Sequence, residues 1–144
     1  MAGMKILAVD FGLKRMGFAV GNTVIRTAVP ISPAVRKNKE EDIRYIKNLI
    51  DQYDIGEIIV GYPLNMDGSK GLITRQVENF AKELKNKTGL NTRLVDERLT
   101  SFEAEEELKS FQPDYKKRKK VIDSISAWLM LKSFVENKGE ETGE

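Results

Sequence analysis

The sequence predicts an α/β domain with a five-stranded mixed sheet and helices on both faces of that sheet. Residues 4–30 hold three strand-like segments joined by short turns, and beyond residue 38 short apolar strands alternate with helical patterns. The 144 residues suffice for one self-supporting core, since 40% of them are apolar. We therefore expect a single domain over residues 1–137, followed by a polar tail at residues 138–144.

The amino-terminal segments predict a three-stranded antiparallel meander. Residues 4–10 end in a compact apolar run typical of a buried central strand, and residues 15–21 and 24–30 are typical of two further strands. The Gly-Asn-Thr sequence between the last two resembles a hairpin turn. Because proline cannot donate a hydrogen bond to a sheet, Pro30 and Pro33 are expected to end this strand section.

The middle of the chain predicts two helices that alternate with two strands. Apolar residues at helical spacing indicate a helix over about 39–53 and a second helix that ends at Gly89. Short apolar segments at 57–61 and 91–97 indicate a strand before and a strand after the second helix.

The carboxyl-terminal part predicts two more helices. Thr100 or Ser101 is expected to cap a third helix that reaches about Lys109. A last helix is expected over about 118–136, and it is apolar almost all round. Such a helix must pack on more than one side, or against a second copy of the chain.

The order of these elements places three strands in parallel. Right-handed crossovers orient the strands that start at residues 4, 57 and 91 in the same direction. Their carboxyl ends then share one edge of the sheet, which is where open α/β sheets bind ligands.

The composition excludes several kinds of chemistry, because the chain contains no cysteine and no histidine. Disulfides, thiolate nucleophiles, imidazole bases and Cys-ligated or His-rich metal sites are therefore excluded. An enzyme with this composition must use carboxylates, lysines, hydroxyls or a hard cation, and carboxylates suit Mg²⁺ or Mn²⁺.

The net charge of +2 conceals a strong segregation of charge. Residues 5–39 contain seven basic residues and one acid, and residues 116–120 are all Lys or Arg. A polyanionic partner such as nucleic acid is therefore plausible. No signal peptide and no apolar run of membrane-spanning length is visible, so we expect a cytoplasmic protein without a membrane partner.

Carboxylates stand where the predicted parallel strands end. Asp10 closes the first strand, Asp96 and Glu97 close the last, and Asp123 lies early in the final helix. Converging carboxylates repel one another unless a cation neutralises them, so this set is a candidate Mg²⁺ or Mn²⁺ site. Each acid also has an ordinary explanation: a turn residue for Asp10, a basic neighbour for Asp96 or Glu97, and the helix dipole for Asp123.

Basic residues adjoin these acids in sequence. Lys14 and Arg15 follow Asp10, and residues 116–120 precede Asp123. Cations beside a carboxylate cluster can hold phosphates on each side of a scissile bond. A run of five like charges is nevertheless commonly a solvated segment.

Four motifs in order make the chain resemble the YqgF/RuvX family, over residues 4 to about 136. They are residues 9–20 (VDFGLKRMGFAV), 59–69 (IVGYPLNMDGS), 96–101 (DERLTS) with Ala104, and Lys120 and Asp123 followed by Ser126, Ala127 and Leu131. The second and third motifs are specific, whereas the first is weak when taken alone.

This resemblance implies an RNase H-like fold in which Asp10, Glu97 and Asp123 are the catalytic, metal-binding set with Mg²⁺ or Mn²⁺. Asp96 and Glu97 cannot both point to the active face, because side chains alternate along a strand, and the family pattern favours Glu97. The expected nucleic-acid contacts are Lys14, Arg15, Asn65, Ser69, Arg98, Lys116, Lys117, Arg118, Lys119 and Lys120.

The resemblance leaves the substrate open, between structured RNA at the 5′ end of pre-16S rRNA and Holliday-junction DNA. Positions 120 and 126 lack the additional acid that better-known resolvases carry near the last-helix Asp. Two further hypotheses are a nucleic-acid-binding protein without catalysis and a fragment of an actin/Hsp70-like ATPase. A binding protein without catalysis would gain nothing from converging acids, which repel phosphate. An actin/Hsp70-like ATPase needs two domains to close on a nucleotide. The oligomeric state, monomer or homodimer, also stays open.

Overall fold

A computed structural model of the chain describes residues 4–24, 27–62, 71–96 and 126–135. Its five strands form one mixed sheet in the order β3-β2-β1-β4-β5. Strand β1 pairs antiparallel with β2 and parallel with β4, β2 pairs antiparallel with β3, and β4 pairs parallel with β5. The strands are β1 (Lys5–Phe11), β2 (Arg15–Asn22), β3 (Thr27–Val35), β4 (Glu57–Tyr62) and β5 (Asn91–Asp96). The predicted mixed sheet, with its meander and its parallel strands, is therefore confirmed.

The third strand differs from the prediction. It covers Thr27–Val35 instead of 24–30, and both Pro30 and Pro33 lie inside it. Because β3 is an edge strand, it can accommodate prolines. Pro33 lies at a register shift opposite Met16–Phe18, where a bulge removes the need for a ladder hydrogen bond. The expectation that the prolines end the strand section was wrong for this reason.

The two helices between the strands begin and end where the sequence indicates. Helix α1 spans Lys39–Tyr53, and the side chain of its N-cap residue Asn38 accepts a hydrogen bond from the backbone N–H of Glu41 at 2.9 Å. Helix α2 spans Leu72–Thr88 and stops at Gly89, whose φ of 73° suits glycine. Both helix predictions are confirmed.

Two separate apolar cores cover the two faces of the sheet. Helices α1 and α2 pack on the face that presents Leu7, Val9 and Phe11 of β1. The helix formed by residues 126–135 packs on the opposite face, against Ile6 and Ala8. Helices therefore lie on both faces, as predicted, and the alternation of β1 decides which side chains meet which helix.

The 126–135 helix approaches the sheet closely at Gly21. The indole N–H of Trp128 donates to the carbonyl oxygen of Ala28 at 2.7 Å, which ties this helix to the edge strand β3. A Cβ atom at Gly21 would lie 2.6 Å from the carbonyl oxygen of Thr27 and 2.9 Å from Cδ2 of Leu131. Glycine at position 21 therefore permits the packing of the second core.

The substitution Gly21→Ala is expected to destabilise the protein by about 1–3 kcal/mol, because the new methyl group overpacks this contact. Gly56→Ala is the matched control, since its Cβ would lie 3.2 Å from the half-exposed side chain of Met4 and at an ordinary contact distance of 3.9 Å from the carbonyl oxygen of Lys5. We expect the control to change stability by less than about 0.5 kcal/mol. Urea denaturation of both variants measures the difference, and equal stabilities would contradict this packing.

Several predicted elements lie outside the described residues. They are residues 25 and 26 of the predicted strand 24–30, the third helix over about 100–109, the tail, and the parts of the last helix that flank residues 126–135. Within the described ranges, no helix is both long enough and apolar enough to span a membrane.

Candidate active site

Asp10 stands at the carboxyl end of the central strand β1 and is half-buried. Ile6 and Ala8, which share its side of the strand by alternation, pack in the core under the 126–135 helix. Asp10 therefore belongs to the face of the sheet that this helix covers, at the edge where the parallel strands end. This is the edge at which the sequence predicts a ligand site.

Glycines flank Asp10 on both neighbouring strands. Gly17 of β2 is its register partner, and Gly61 of β4 follows Val60, which pairs with Val9. Both glycines are buried and share the face of Asp10, so neither strand adds a side chain beside the carboxylate. The sequence showed both glycines only as members of family motifs, because their position beside Asp10 depends on the strand register.

The turn between β1 and β2, together with the first residue of β2, presents two cations. The backbone N–H of Gly12 donates to the carbonyl oxygen of Arg15 at 2.9 Å, and a Cβ atom at Gly12 would lie 2.7 Å from that oxygen. Lys14 and Arg15 are exposed. Arg15 shares the face of Gly17 and therefore of Asp10, because side chains alternate along β2. The structure thus brings these two predicted phosphate contacts to the edge that carries Asp10.

An ion pair with a buried carboxylate supports this turn from the α1 side of the sheet. The guanidinium of Arg36 lies 4.1 Å from the centre of the Phe11 ring, and its Nε is 3.2 Å from Oδ2 of Asp42. Only 2% of Asp42 is exposed. In the sequence Arg36 is one cation among seven, and its pairing with Asp42 could not be found there because it depends on how β3 meets α1.

Strand β5 ends on the same edge as β1. Val95 packs in the core under the 126–135 helix, which places it on the face of Asp10. Asp96 follows it and therefore has the opposite orientation. Asp96 is thus directed away from the face of Asp10, as the sequence favoured.

The other predicted site residues lie outside the described part of the chain. They are Glu97, Asp123, Asn65, Ser69, Arg98, Lys116, Lys117, Arg118, Lys119 and Lys120. Within the described ranges, no three acidic side chains come together as a metal site. The proposed carboxylate set therefore has one described member, Asp10.

Solved structures with the same fold include two Holliday-junction resolvases. T. thermophilus RuvC in complex with a Holliday junction substrate matches 94% of this chain and 95% of its own, with a TM-score of 0.61 and 10% identity. The fowlpox virus Holliday junction resolvase matches 94% of this chain and 99% of its own, with a TM-score of 0.61 and 15% identity. These likenesses establish the RNase H-like fold.

Relatives of known sequence are much closer to this chain. A protein of Koribacter versatilis named "Putative pre-16S rRNA nuclease" is 37% identical over 140 residues, which cover 97% of this chain and 92% of the relative. A protein of the same name from Maridesulfovibrio salexigens is 39% identical over 132 residues, which cover 92% and 98%. The family model described as RuvX, Holliday junction resolvase, matches residues 4–137. On this agreement in sequence and fold, the chain belongs to the RuvX family of nucleases.

Proposed function

We propose that this chain is a metal-dependent endonuclease that hydrolyses phosphodiester bonds in structured nucleic acid. The 5′ end of pre-16S rRNA is the first candidate substrate, because relatives at 37% and 39% identity carry that name. Holliday-junction DNA is the second candidate, because the matching family model is described as a junction resolvase.

The position of Asp10 carries this proposal. It ends the central strand of the sheet, between two glycine-bearing strands and on the face that the 126–135 helix covers. In the predicted last helix, Asp123 stands three residues before this described segment. Continued alternation of β5 beyond Val95 would give Glu97 the orientation of Asp10.

Asp10, Glu97 and Asp123 would hold Mg²⁺ or Mn²⁺ in this proposal. The donor chemistry fits, since carboxylate oxygens suit hard cations and glycines at positions 17 and 61 add no side chain beside Asp10. A divalent cation bound there would activate the attacking water and stabilise the leaving oxygen.

The cationic residues bind and orient the nucleic-acid backbone in this proposal. Lys14 and Arg15 contact phosphates next to the scissile bond from the β1–β2 turn. Contacts to phosphate or sugar are also assigned to Asn65, Ser69, Arg98, Lys116, Lys117, Arg118, Lys119 and Lys120. A surface that only bound phosphate would gain nothing from the acids, which is why we favour a nuclease over a binding protein without catalysis.

We assign the protein to the cytoplasm, which fits a family that processes nucleic acid. Trimming an RNA end needs one active site and is compatible with a monomer. Symmetric resolution of a junction needs two sites and therefore a homodimer. The substrate and the oligomeric state are thus linked in this proposal.

A substrate panel tests the proposed activity. Purified protein with Mg²⁺ or Mn²⁺ is incubated with precursor 16S rRNA, a four-way DNA junction and unstructured single-stranded RNA, and chelation with EDTA is the control. We expect metal-dependent cleavage of one structured substrate and little cleavage of the unstructured RNA. Binding without cleavage in all metal conditions would instead support the non-catalytic alternative.

A further inference from the structure

Arg36 contacts the last residue of β1 and two residues of the turn that follows it. Its guanidinium stacks on the ring of Phe11 at 4.1 Å, and its Nη1 donates to the carbonyl oxygen of Gly12 at 3.3 Å. Its backbone N–H donates to the carbonyl oxygen of Lys14 at 2.8 Å. A single residue that directly follows β3 thus holds the turn that begins two residues after Asp10.

Asp42 fixes Arg36 in this position. Its Oδ2 lies 3.2 Å from Nε of Arg36, and its Oδ1 accepts a hydrogen bond from the backbone N–H of Lys37 at 2.9 Å. The carboxylate is buried in the first turn of α1, and both of its oxygens have a partner inside the protein. Helix α1 is therefore connected through Arg36 to the turn that presents Lys14 and Arg15.

This ion pair has a role that the paired strands do not fulfil. The β1–β2 ladder ends at the pair of Phe11 and Met16, so Gly12–Lys14 lie beyond it. An ion pair with a buried carboxylate contributes little net stability compared with apolar residues of similar size, because the charges lose much of their hydration. Its value therefore lies in geometry, since Arg36 connects α1 to the end of β1 and to the turn that follows it.

We infer that Arg36 and Asp42 are positioning residues for nucleic-acid binding: they hold the β1–β2 turn so that Lys14 and Arg15 meet the backbone beside Asp10. The inference rests on the proposed function, because it needs nucleic acid to bind at this edge. Neither residue needs to touch the nucleic acid. The pair acts by reducing the conformational freedom that the turn would lose on binding.

A second Arg–carboxylate pair among the described residues supplies a control, with an equally buried carboxylate and a more exposed arginine. Glu57, like Asp42, is 2% exposed, and its Oε2 lies 2.9 Å from Nε of Arg93. It also accepts a hydrogen bond from Asn91 at 2.9 Å. Glu57 pairs with Ile6 at the start of β1, which is the end of the sheet opposite Asp10. Glu57→Gln and Asp42→Asn therefore remove the same charge from equally buried carboxylates, one far from the turn and one beside it.

The test measures the dissociation constants of both variants for a labelled precursor 16S rRNA fragment and a labelled four-way junction, in EDTA, over a range of NaCl concentrations. For the probe that the wild type binds, Asp42→Asn is expected to weaken binding about tenfold. The association constant falls as the salt concentration rises, and the magnitude of the slope of its logarithm against log[salt] is expected to decrease by about one to two as phosphate contacts are lost. Glu57→Gln is expected to bind like the wild type. Thermal denaturation establishes that each protein is folded at the assay temperature.

Two further variants separate the possible outcomes. Arg36→Lys keeps the charge but loses the forked contact with Asp42 and Gly12, so it should also weaken binding. This variant replaces Asp42→Asn in the test if Asp42→Asn does not fold. The double variant Lys14→Gln, Arg15→Gln should also lose affinity and salt dependence. If the double variant binds less tightly while Asp42→Asn and Arg36→Lys bind normally, only the positioning role is overturned. Equal losses of affinity in Glu57→Gln and Asp42→Asn would also overturn the positioning role. A double variant that binds normally would overturn both the positioning role and the proposed role of the turn in binding.

Discussion

The substitution Asp10→Asn is expected to reduce the cleavage rate by on the order of a thousandfold or more, while the fold is retained. Asparagine keeps the size of the side chain but removes the negative charge of the carboxylate, which is the ligand that a divalent cation prefers. Loss of one metal ligand at the centre of the site raises the barrier by on the order of 4 kcal/mol. Nucleic-acid binding without metal should be unchanged or tighter, because one charge that repels phosphate is gone. Single-turnover cleavage and binding in EDTA measure the two effects separately.

Asp96→Asn is the matched control for this substitution. Asp96 ends β5 on the same edge of the sheet, but the packing of Val95 under the 126–135 helix gives Asp96 the opposite orientation. We expect Asp96→Asn to cleave at close to the wild-type rate and Glu97→Gln to lose activity as Asp10→Asn does. Full activity of Asp10→Asn, or equal losses in Asp10→Asn and Asp96→Asn, would contradict the assigned site.

The substitution Leu131→Ala is expected to reduce both stability and activity. Leu131 is fully buried in the core under the 126–135 helix, together with Ile6 and Ala8 of the strand that bears Asp10. Truncation should lower the free energy of unfolding by about 2–5 kcal/mol. Because the predicted last helix also carries Asp123, loosening it should slow cleavage by about ten- to a hundredfold in molecules that remain folded.

Leu84→Ala separates these two effects. Leu84 of α2 is also fully buried, but it packs in the core on the opposite face of the sheet. We expect a similar loss of stability in urea denaturation and a cleavage rate per folded molecule close to that of the wild type. If both leucine variants lost activity in proportion to their unfolding alone, the 126–135 helix would have no special part in the site.

Most of the described fold could be predicted because local patterns agree with the tertiary structure. The helical spacing of Ile43, Ile46 and Leu49 gives α1 its buried face, and Gly89 ends α2 in the conformation that glycine favours. Strand β3 was misplaced because the effect of a proline depends on the position of its strand in the sheet. That position is decided by pairing across the sheet and cannot be seen in the neighbouring residues.

The candidate site could be predicted only in part. Asp10 was identified as a strand-end acid, and its place on the sheet edge agrees with that prediction. The glycines at positions 17 and 61 and the contact of Arg36 with Asp42 were not predicted as parts of the site. They become neighbours of Asp10 or of its turn through strand register and through the packing of α1, which involve residues distant in sequence.

The central claim is that Asp10, Glu97 and Asp123 bind the divalent cation that cleavage requires. Anomalous diffraction from crystals soaked in Mn²⁺ tests it most directly, because it locates the metal without depending on the choice of substrate. We expect a Mn²⁺ peak within about 2.0–2.3 Å of oxygens of Asp10, Glu97 and Asp123 in the wild type and no such peak in Asp10→Asn. Mn²⁺ bound elsewhere in the wild type, with none at Asp10, would contradict the claim.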